Sequence, residues 1–461
     1  MSEPCFSRLR SPVLALRGCV ASSQTLATSA GLAVAVAAAL AVTEPAALDW
    51  EEMRFCLFYN AHTRQIQGLN GSGRSAEAQT LDYMESRGFS AENPPSAFDA
   101  LNVTVPGAAA CWCDTVQLFG SHKYLEGVGI KGSRGWADWL LGGAEAEAEP
   151  EARAGAELEA GAEAVIEARC VEICSKRAPS WVTSVERNCD NYFLPYRPGF
   201  IQALLLQFLP NTAHFQHFKL QKGVTLWEPP PNGQGLAALL LPDSDVSLLI
   251  SCSTSDPCAQ TELGHNSSDY IHVLTEAVRL TQTDVLRYLG DPGHVTVPVD
   301  ALLDKSYGRT RAQSISLDRA MEAVGPGLQT GSDTVYFCVI DSEGNACSFV
   351  NSNYMNFGSG LVPKDCGFAL QNRGANFSLR RGHPNCIAGG KRSYHTILCA
   401  LLTDTTTDQL LAALGVMGAF MQPQGHVQAL DAPRVYVHYD QKSTTSPSTE
   451  TPQLHREIIA L

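Results

Sequence analysis

Apolar residues recur at Ile271, Leu274, Val278 and Val285, the three- and four-residue spacing of one helical face. This predicts a helix from Asp269 to Tyr288, ended by Asp291-Pro292. A different pattern runs from Thr334 to Ile340, where nearly every position is apolar, as in a central strand covered on both faces. Asp341-Ser-Glu-Gly-Asn345 reads as a turn and Ala346 to Ser352 as the returning strand. Gly344 falls where a three-residue hairpin loop needs a left-handed residue. Phe55 to Tyr59 is a further short strand, and Asn70-Gly-Ser-Gly-Arg74 a glycine-rich turn. Trp227-Glu-Pro-Pro-Pro-Asn-Gly-Gln-Gly235 is a rigid turn leading into an apolar helix or strand.

Two segments depart from this mixture of elements. Residues 143–169 are built of Ala, Glu and Gly, with eight glutamates against Arg153 and Arg169, which predicts a solvated acidic insert. From about residue 441 the chain turns Ser/Thr/Pro-rich, and composition predicts disorder. The run 31–42 is alanine-rich and shorter than the ~20 residues of a membrane span, so a buried helix is expected there.

Composition narrows the function classes. With 461 residues, 44% hydrophobic and 17% charged, the chain matches a soluble globular protein with a sizeable core. A net charge of −14 opposes nucleic acid, because phosphate binding needs clustered Lys and Arg. The 15 cysteines are odd in number. Several, such as Cys56, Cys338, Cys347 and Cys399, lie in apolar runs and read as small buried hydrophobes rather than a disulfide framework. Cys111-Trp-Cys113 and Cys170-Val-Glu-Ile-Cys174 lack a second pair at zinc spacing, so no metal is expected. Arg8, Arg10 and Arg17 interrupt the apolar core that a signal peptide needs, and the expected compartment is cytoplasmic, with a transit peptide as the alternative.

The hairpin carries the candidate chemistry. Centred on Glu343, its register pairs Asp341 with Asn345 and, counted outward, Thr334 with Ser352. Directly opposed residues bring their Cβ atoms to about 4.5–5.5 Å, so two hydroxyls would meet at the strand end, unless a bulge shifts the register by one. A Thr hydroxyl needs a neighbouring base to act as a nucleophile. At a new chain N-terminus its own α-amino group, titrating near about 7.7–8.0, supplies one. The hairpin alone favours the plainer reading, a β-branched residue that simply opens a strand.

Ordered blocks along the chain change that weight. Asp333-Thr334-Val-Tyr-Phe-Cys-Val-Ile-Asp341-Ser-Glu-Gly-Asn345 resembles the processing site of the γ-glutamyltransferase (glutathione hydrolase) family. Asn356-Phe-Gly-Ser-Gly360, Gly367-Phe-Ala-Leu-Gln-Asn-Arg373 and Gly389-Gly-Lys-Arg392 follow in the family's order. Gly415-Val-Met-Gly-Ala-Phe-Met-Gln-Pro-Gln-Gly-His426 resembles its glycine-rich active-site segment. Upstream, Gly68-Leu-Asn-Gly-Ser-Gly-Arg-Ser75, Val105-Pro-Gly107, Pro231-Asn-Gly-Gln-Gly235 and Gly264-His-Asn266 also match.

The resemblance implies an α+β protein, a four-layer αββα sandwich of the N-terminal-nucleophile (Ntn) hydrolases. It implies autocatalytic cleavage between Asp333 and Thr334, giving a large subunit from residues 1–333 and a small one from 334–461 that stay together as a heterodimer. Thr334 would form an acyl-enzyme with a γ-glutamyl substrate such as glutathione, released to water or to an amino-acid or peptide acceptor, with no cofactor and no membrane partner. Ser352 falls at the family's hydroxyl beside the nucleophile, and the N–H groups of Gly418 and Ala419 at its oxyanion site. Arg74 falls near the arginine that grips the α-carboxylate. Substrate contacts are further implied for Tyr354, Asn376, His395 and Thr396.

The departures open alternatives. Asn376 replaces an acid, Tyr354 an asparagine, His395-Thr396 a pair of serines, and Ala419 a glycine, changes shared in character with the family's acylase-like branch. An amidase or acylase acting on a different acyl group is therefore the first alternative. Several family segments, the C-terminal strands among them, have no counterpart by sequence, which makes a catalytically inactive scaffold the second.

Overall fold

A computed structural model describes residues 18–22, 53–105, 107, 111, 114–115, 118–120, 216–219, 223–243, 267–321, 333–361, 369–428, 434–438, 448–453 and 457–460. The expected helix at 31–42 and the acidic insert at 143–169 lie outside the described residues.

The strands are β1 (Cys19–Ser22), β2 (Met53–Asn60), β3 (Gln65–Asn70), β4 (Gln216–Lys219), β5 (Val224–Glu228), β6 (Asp333–Ile340), β7 (Ala346–Tyr354), β8 (Ala400–Asp404), β9 (Leu410–Val416), β10 (Arg434–His438), β11 (Ser448–Gln453) and β12 (Glu457–Ala460). The helices are α1 (Leu81–Ser86), α2 (Gly235–Asp243), α3 (Ser268–Tyr288), α4 (Val299–Leu302), α5 (Lys305–Ala312) and α6 (Gln422–Gln428). One antiparallel sheet has the order β1-β6-β7-β2-β3, and a second has the order β12-β9-β8-β5-β4.

Alternation along the central strands builds the layers, since successive side chains of a strand point to opposite faces. Phe55, Leu57, Tyr59, Tyr336, Cys338, Ala346 and Val350 of the first sheet meet Ile397, Cys399, Leu401 and Ala413, forming the core between the sheets. The intervening residues Cys56, Val335, Phe337, Cys347 and Phe349 face outward, against Cys111 and Phe119 in helical backbone. Beyond the second sheet, Leu239 of α2 packs on Leu226, Ala400 and Leu414, and α2 in turn packs on Val285 and Leu289 at the end of α3. Helix, sheet, sheet and helix are the four layers of the αββα sandwich. The sheets approach so closely at Gly415 that a Cβ there would lie 2.1 Å from the Tyr336 ring.

α3 matches the predicted helix to within a residue, its N-terminus capped by Ser267, whose side chain accepts from Tyr270 N–H. The hairpin closes with Asp341 N–H on Asn345 O at 3.0 Å and Gly344 at φ 86°. The tail corrects the composition-based expectation. β11 and β12 fall after residue 441, and β12 pairs with β9 from Glu457↔Val416 to Ala460↔Ala413. The exposed ladder of β9 offers this segment its backbone partners, so the C-terminal edge strand expected to be missing is present.

Candidate active site

Thr334 is fully buried near the start of β6. The predicted register holds from Ile340↔Ala346 through Val335↔Asn351, and then the pairing steps to Asp333↔Tyr354. Thr334 is therefore opposed by both Ser352 and Asn353, rather than by Ser352 alone. The extra residue on β7 is a bulge, which locally bends the strand and re-aims its side chains. Gln422 Nε2 donates to Thr334 Oγ1 at 3.1 Å. The Ser352 hydroxyl oxygen accepts from Tyr354 N–H at 3.0 Å, which orients it.

The loop between β9 and α6 carries Gly418 at φ 125° and Ala419 at φ 50°. Alanine at the second position does more than narrow the backbone choice: it sits in the left-handed region, at a cost of roughly 1–2 kcal/mol for a residue with a Cβ. The surroundings hold it there. Gln234 Nε2 donates to Ala419 O at 2.6 Å, and the same amide also donates to Thr396 O, tying the loop to the chain opposite.

Tyr354 is a second strained residue, at φ 79° where β7 ends. Arg373 lies over its ring, with Cζ 4.7 Å from the centroid. The guanidinium is fully buried and donates to Thr396 Oγ1 at 2.8 Å and to Ser352 O at 3.4 Å. Burial pushes the Tyr354 phenol up to about 12. His395 is buried edge-on to Phe55. Its Nδ1 sits 2.8 Å from Ser393 O, which fixes the proton on Nδ1. Nε2 is then a lone pair with no partner among the described residues. Burial, and then the charge of Arg373, hold this ring neutral by pulling its pKa well below the ordinary histidine value. Asn376 Nδ2 donates to Tyr394 O at 3.0 Å, while its Oδ1 is buried without a partner among the described residues.

Arg74 is about a fifth exposed (22%). Its Nη1 donates to Gly390 O at 2.8 Å and to Asp291 Oδ2 at 3.3 Å, and its backbone bridges Arg392. Asp291 also accepts from Arg392 N–H at 2.8 Å. Burial, and then the charge of Arg74, pull the Arg392 guanidinium down to about 10. Asp291 thus takes the Arg74 guanidinium and the Arg392 backbone N–H, while the Arg392 guanidinium donates through Nε to Ser72 O at 3.0 Å, so two guanidinium groups lie near one carboxylate and the group keeps positive charge.

A single stretch of chain, 390–398, joins these parts. Arg74 bonds at Gly390, Asn376 at Tyr394, Arg373 at Thr396, and Gln422 at Leu398. A chain spans at most about 3.6 Å per residue, so the Asn376 and Gln422 contacts, four residues apart, lie within about 14 Å along it. Thr334, Ser352, Tyr354, Asn376, His395, Thr396, Gly418 and Ala419 therefore share one region, with Arg74 at the other end of the stretch. Gln422 and Arg373 were quoted in the sequence blocks without a role. Their positions inside matched segments, beside the glycines and before Gly374, are the one sequence signal that could have found them. Among the described residues no cluster of three or more His, Cys, Asp or Glu side chains is placed to hold a metal ion. Nor is any described helix long and apolar enough to cross a membrane.

The chain is similar to the glutathione hydrolase-like YwrD proenzyme of Bacillus subtilis, 27% identical over 440 residues that cover 90% of this chain and 79% of that protein. It is 34% identical to the oxamate amidohydrolase proenzyme of Klebsiella pneumoniae over 215 residues, 47% of this chain and 37% of that one. Among solved structures, cephalosporin acylase from Bacillus halodurans superposes with a TM-score of 0.66 at 29% identity, covering 92% of this chain and 82% of that one. The sequence pattern described as Gamma-glutamyltranspeptidase matches residues 28–127 and 208–459, and with the fold just described the chain belongs to the gamma-glutamyltranspeptidase family of Ntn hydrolases.

Proposed function

We propose that the chain cuts itself between Asp333 and Thr334, and that Thr334 then serves as the nucleophile of an amidohydrolase acting on γ-glutamyl amides such as glutathione. The observation that carries this reading is the placement of Thr334, fully buried at a bulge between the two sheets with its hydroxyl oxygen held by Gln422. In the cut chain the free α-amine takes the hydroxyl proton as Oγ1 bonds to the substrate carbonyl carbon. The carbonyl electron pair moves to oxygen, facing the N–H groups of Gly418 and Ala419. It returns as the C–N bond breaks, and the leaving amine takes the proton from the α-ammonium. Water, or an amino acceptor, then opens the ester by the same sequence and restores the Thr334 hydroxyl.

Two features support a γ-glutamyl group. The Arg74–Arg392 pair keeps positive charge beside Asp291, which suits an α-carboxylate. The unpartnered Oδ1 of Asn376 is an acceptor for an α-ammonium. The neutral Asn376 and neutral His395 also favour a second reading, in which the acyl group carries no ammonium; the acylase and oxamate amidohydrolase relatives accord with it. Comparing kcat/KM for glutathione with that for glutaryl amides decides between them. Preference for glutathione supports the first reading, and strong preference for glutaryl amides overturns its substrate assignment.

A further inference from the structure

Gln422 is fully buried and both ends of its amide are engaged. Leu398 N–H, which can only donate, bonds to Oε1 at 2.7 Å. That contact settles which way the amide is turned, so the group facing Thr334 Oγ1 at 3.1 Å is the NH2. The Thr334 oxygen therefore accepts from Gln422 with one lone pair, and its own proton points away from that donor.

The segment bearing Gln422 is fixed on both sides. Gln422 opens α6 and Pro423 follows it in the first turn, where the ring's fixed φ suits a helix. One turn further, His426 lies on the same face of the helix, and its Nδ1 meets Glu228 Oε1 at 2.7 Å with both side chains fully buried. On the other side, Ala419 O is held by Gln234. The span from Gly418 to His426 thus enters the site as a rigid unit bearing both the oxyanion N–H groups and the Gln422 amide.

We infer that Gln422 is a catalytic residue, the hydrogen-bond donor that fixes the Thr334 hydroxyl and stabilises Oγ1 whenever that oxygen carries developing charge. This rests on the proposal that Thr334 is the nucleophile. Charge develops on Oγ1 at three moments. In self-cleavage Oγ1 attacks the Asp333 carbonyl carbon, the Asp333–Thr334 C–N bond breaks and the nitrogen takes the hydroxyl proton; water then opens the resulting ester. In acylation Oγ1 attacks the substrate carbonyl carbon. In deacylation the C–Oγ1 bond breaks and Oγ1 takes the electron pair before its proton returns from the α-ammonium. An N–H already aimed at Oγ1 needs no reorganisation at any of these steps. It complements the Gly418 and Ala419 N–H groups, which address the other oxygen of the tetrahedral centre.

The test follows the cutting of freshly synthesised uncut chain by intact mass over time, for wild type, Gln422→Met and Gln422→Glu across pH 5 to 9. Gln422→Met keeps the length and loses the donor, and should slow cutting roughly 10- to 100-fold, the worth of a hydrogen bond to a charged group. Gln422→Glu is isosteric and keeps the Leu398 contact, so it carries the test should the Met variant not fold. Its protonated carboxyl donates as the amide does, whereas the ionised form only accepts. Burial raises such a carboxyl's pKa, so the ratio of its rate to wild type should fall as pH rises. A role confined to packing leaves that ratio flat. A flat ratio, or wild-type cutting by Gln422→Met, overturns the inference and leaves Thr334 as the nucleophile. A wild-type chain that never cuts overturns both.

Discussion

Replacing Gly415 by alanine tests the contact that places β6, which carries Thr334, against β9 and the Gly418–Ala419 loop that follows it. A Cβ built at Gly415 lies 2.1 Å from Tyr336 Cδ2, 2.3 Å from Cε2 and 2.6 Å from Cγ. Carbon atoms settle at about 3.5–4.0 Å, so the ring or the strand has to move by more than 1 Å. The ring has little freedom: Tyr336 is buried, and its hydroxyl lies 2.8 Å from Ser348 Oγ, which itself donates to Ala400 O at 3.0 Å. Tyr336 is two residues from Thr334, and Gly415 is three residues from Gly418. Overpacking of this kind costs about 1–3 kcal/mol, and each kcal/mol lowers Tm by about 2–4 °C in a domain of a few hundred residues. A misplacement of about 1 Å at the chemistry costs on the order of 100-fold in rate. Gly415→Ala should therefore melt several degrees lower and cut itself far more slowly than wild type, by thermal melt and intact mass. Tyr336→Leu removes the ring, so the double variant should lose less than the two single effects combined. Wild-type melting and cutting by Gly415→Ala would refute the close apposition of β6 and β9.

Ala419→Gly keeps the backbone N–H and relieves the left-handed strain, so it should retain activity with stability equal or up to about 1 kcal/mol higher, whereas Ala419→Val should lose more than about 1 kcal/mol and slow turnover. Melting and hydrolysis rates check both, and a loss of activity in the glycine variant would contradict the loop geometry. Glu228 gives a pH prediction. Burial raises its carboxyl pKa despite the neighbouring His426. A raised folded-state pKa contributes stability that is complete below the unfolded value of about 4.3 and is lost as pH rises through the folded value. Glu228→Gln should therefore gain stability relative to wild type as pH rises from 4.5 to 8. A constant difference in Tm over that range would show that burial does not govern this carboxyl.

Local pattern made part of this molecule legible. Six consecutive apolar residues and a turn with glycine in the left-handed position set the β6–β7 register from Val335 to Ile340, because hairpin register follows from the apolar pattern together with turn type and length. The bulge at Thr334 left no such mark, since Ser352 and Asn353 have the same polarity whether one or two residues face the partner strand. The role of Gln422 was hidden for a different reason. Its partners Leu398 and Thr334 lie 24 and 88 positions away, and a glutamine after Phe-Met reads as an ordinary polar residue. His426 and Glu228 are 198 positions apart, so no spacing rule could join them. The Ser/Thr/Pro-rich tail misled because composition reports on side chains, whereas β12 is recruited by the backbone ladder of β9.

The central claim is that Thr334 becomes a chain terminus and then a nucleophile. Intact masses of purified wild type beside Thr334→Ala address it most directly. Two fragments, the second beginning at Thr334, in wild type and a single uncut chain in the variant are the predicted result. A single uncut chain in both would contradict the account, because Thr334 would never gain the amine that its chemistry requires.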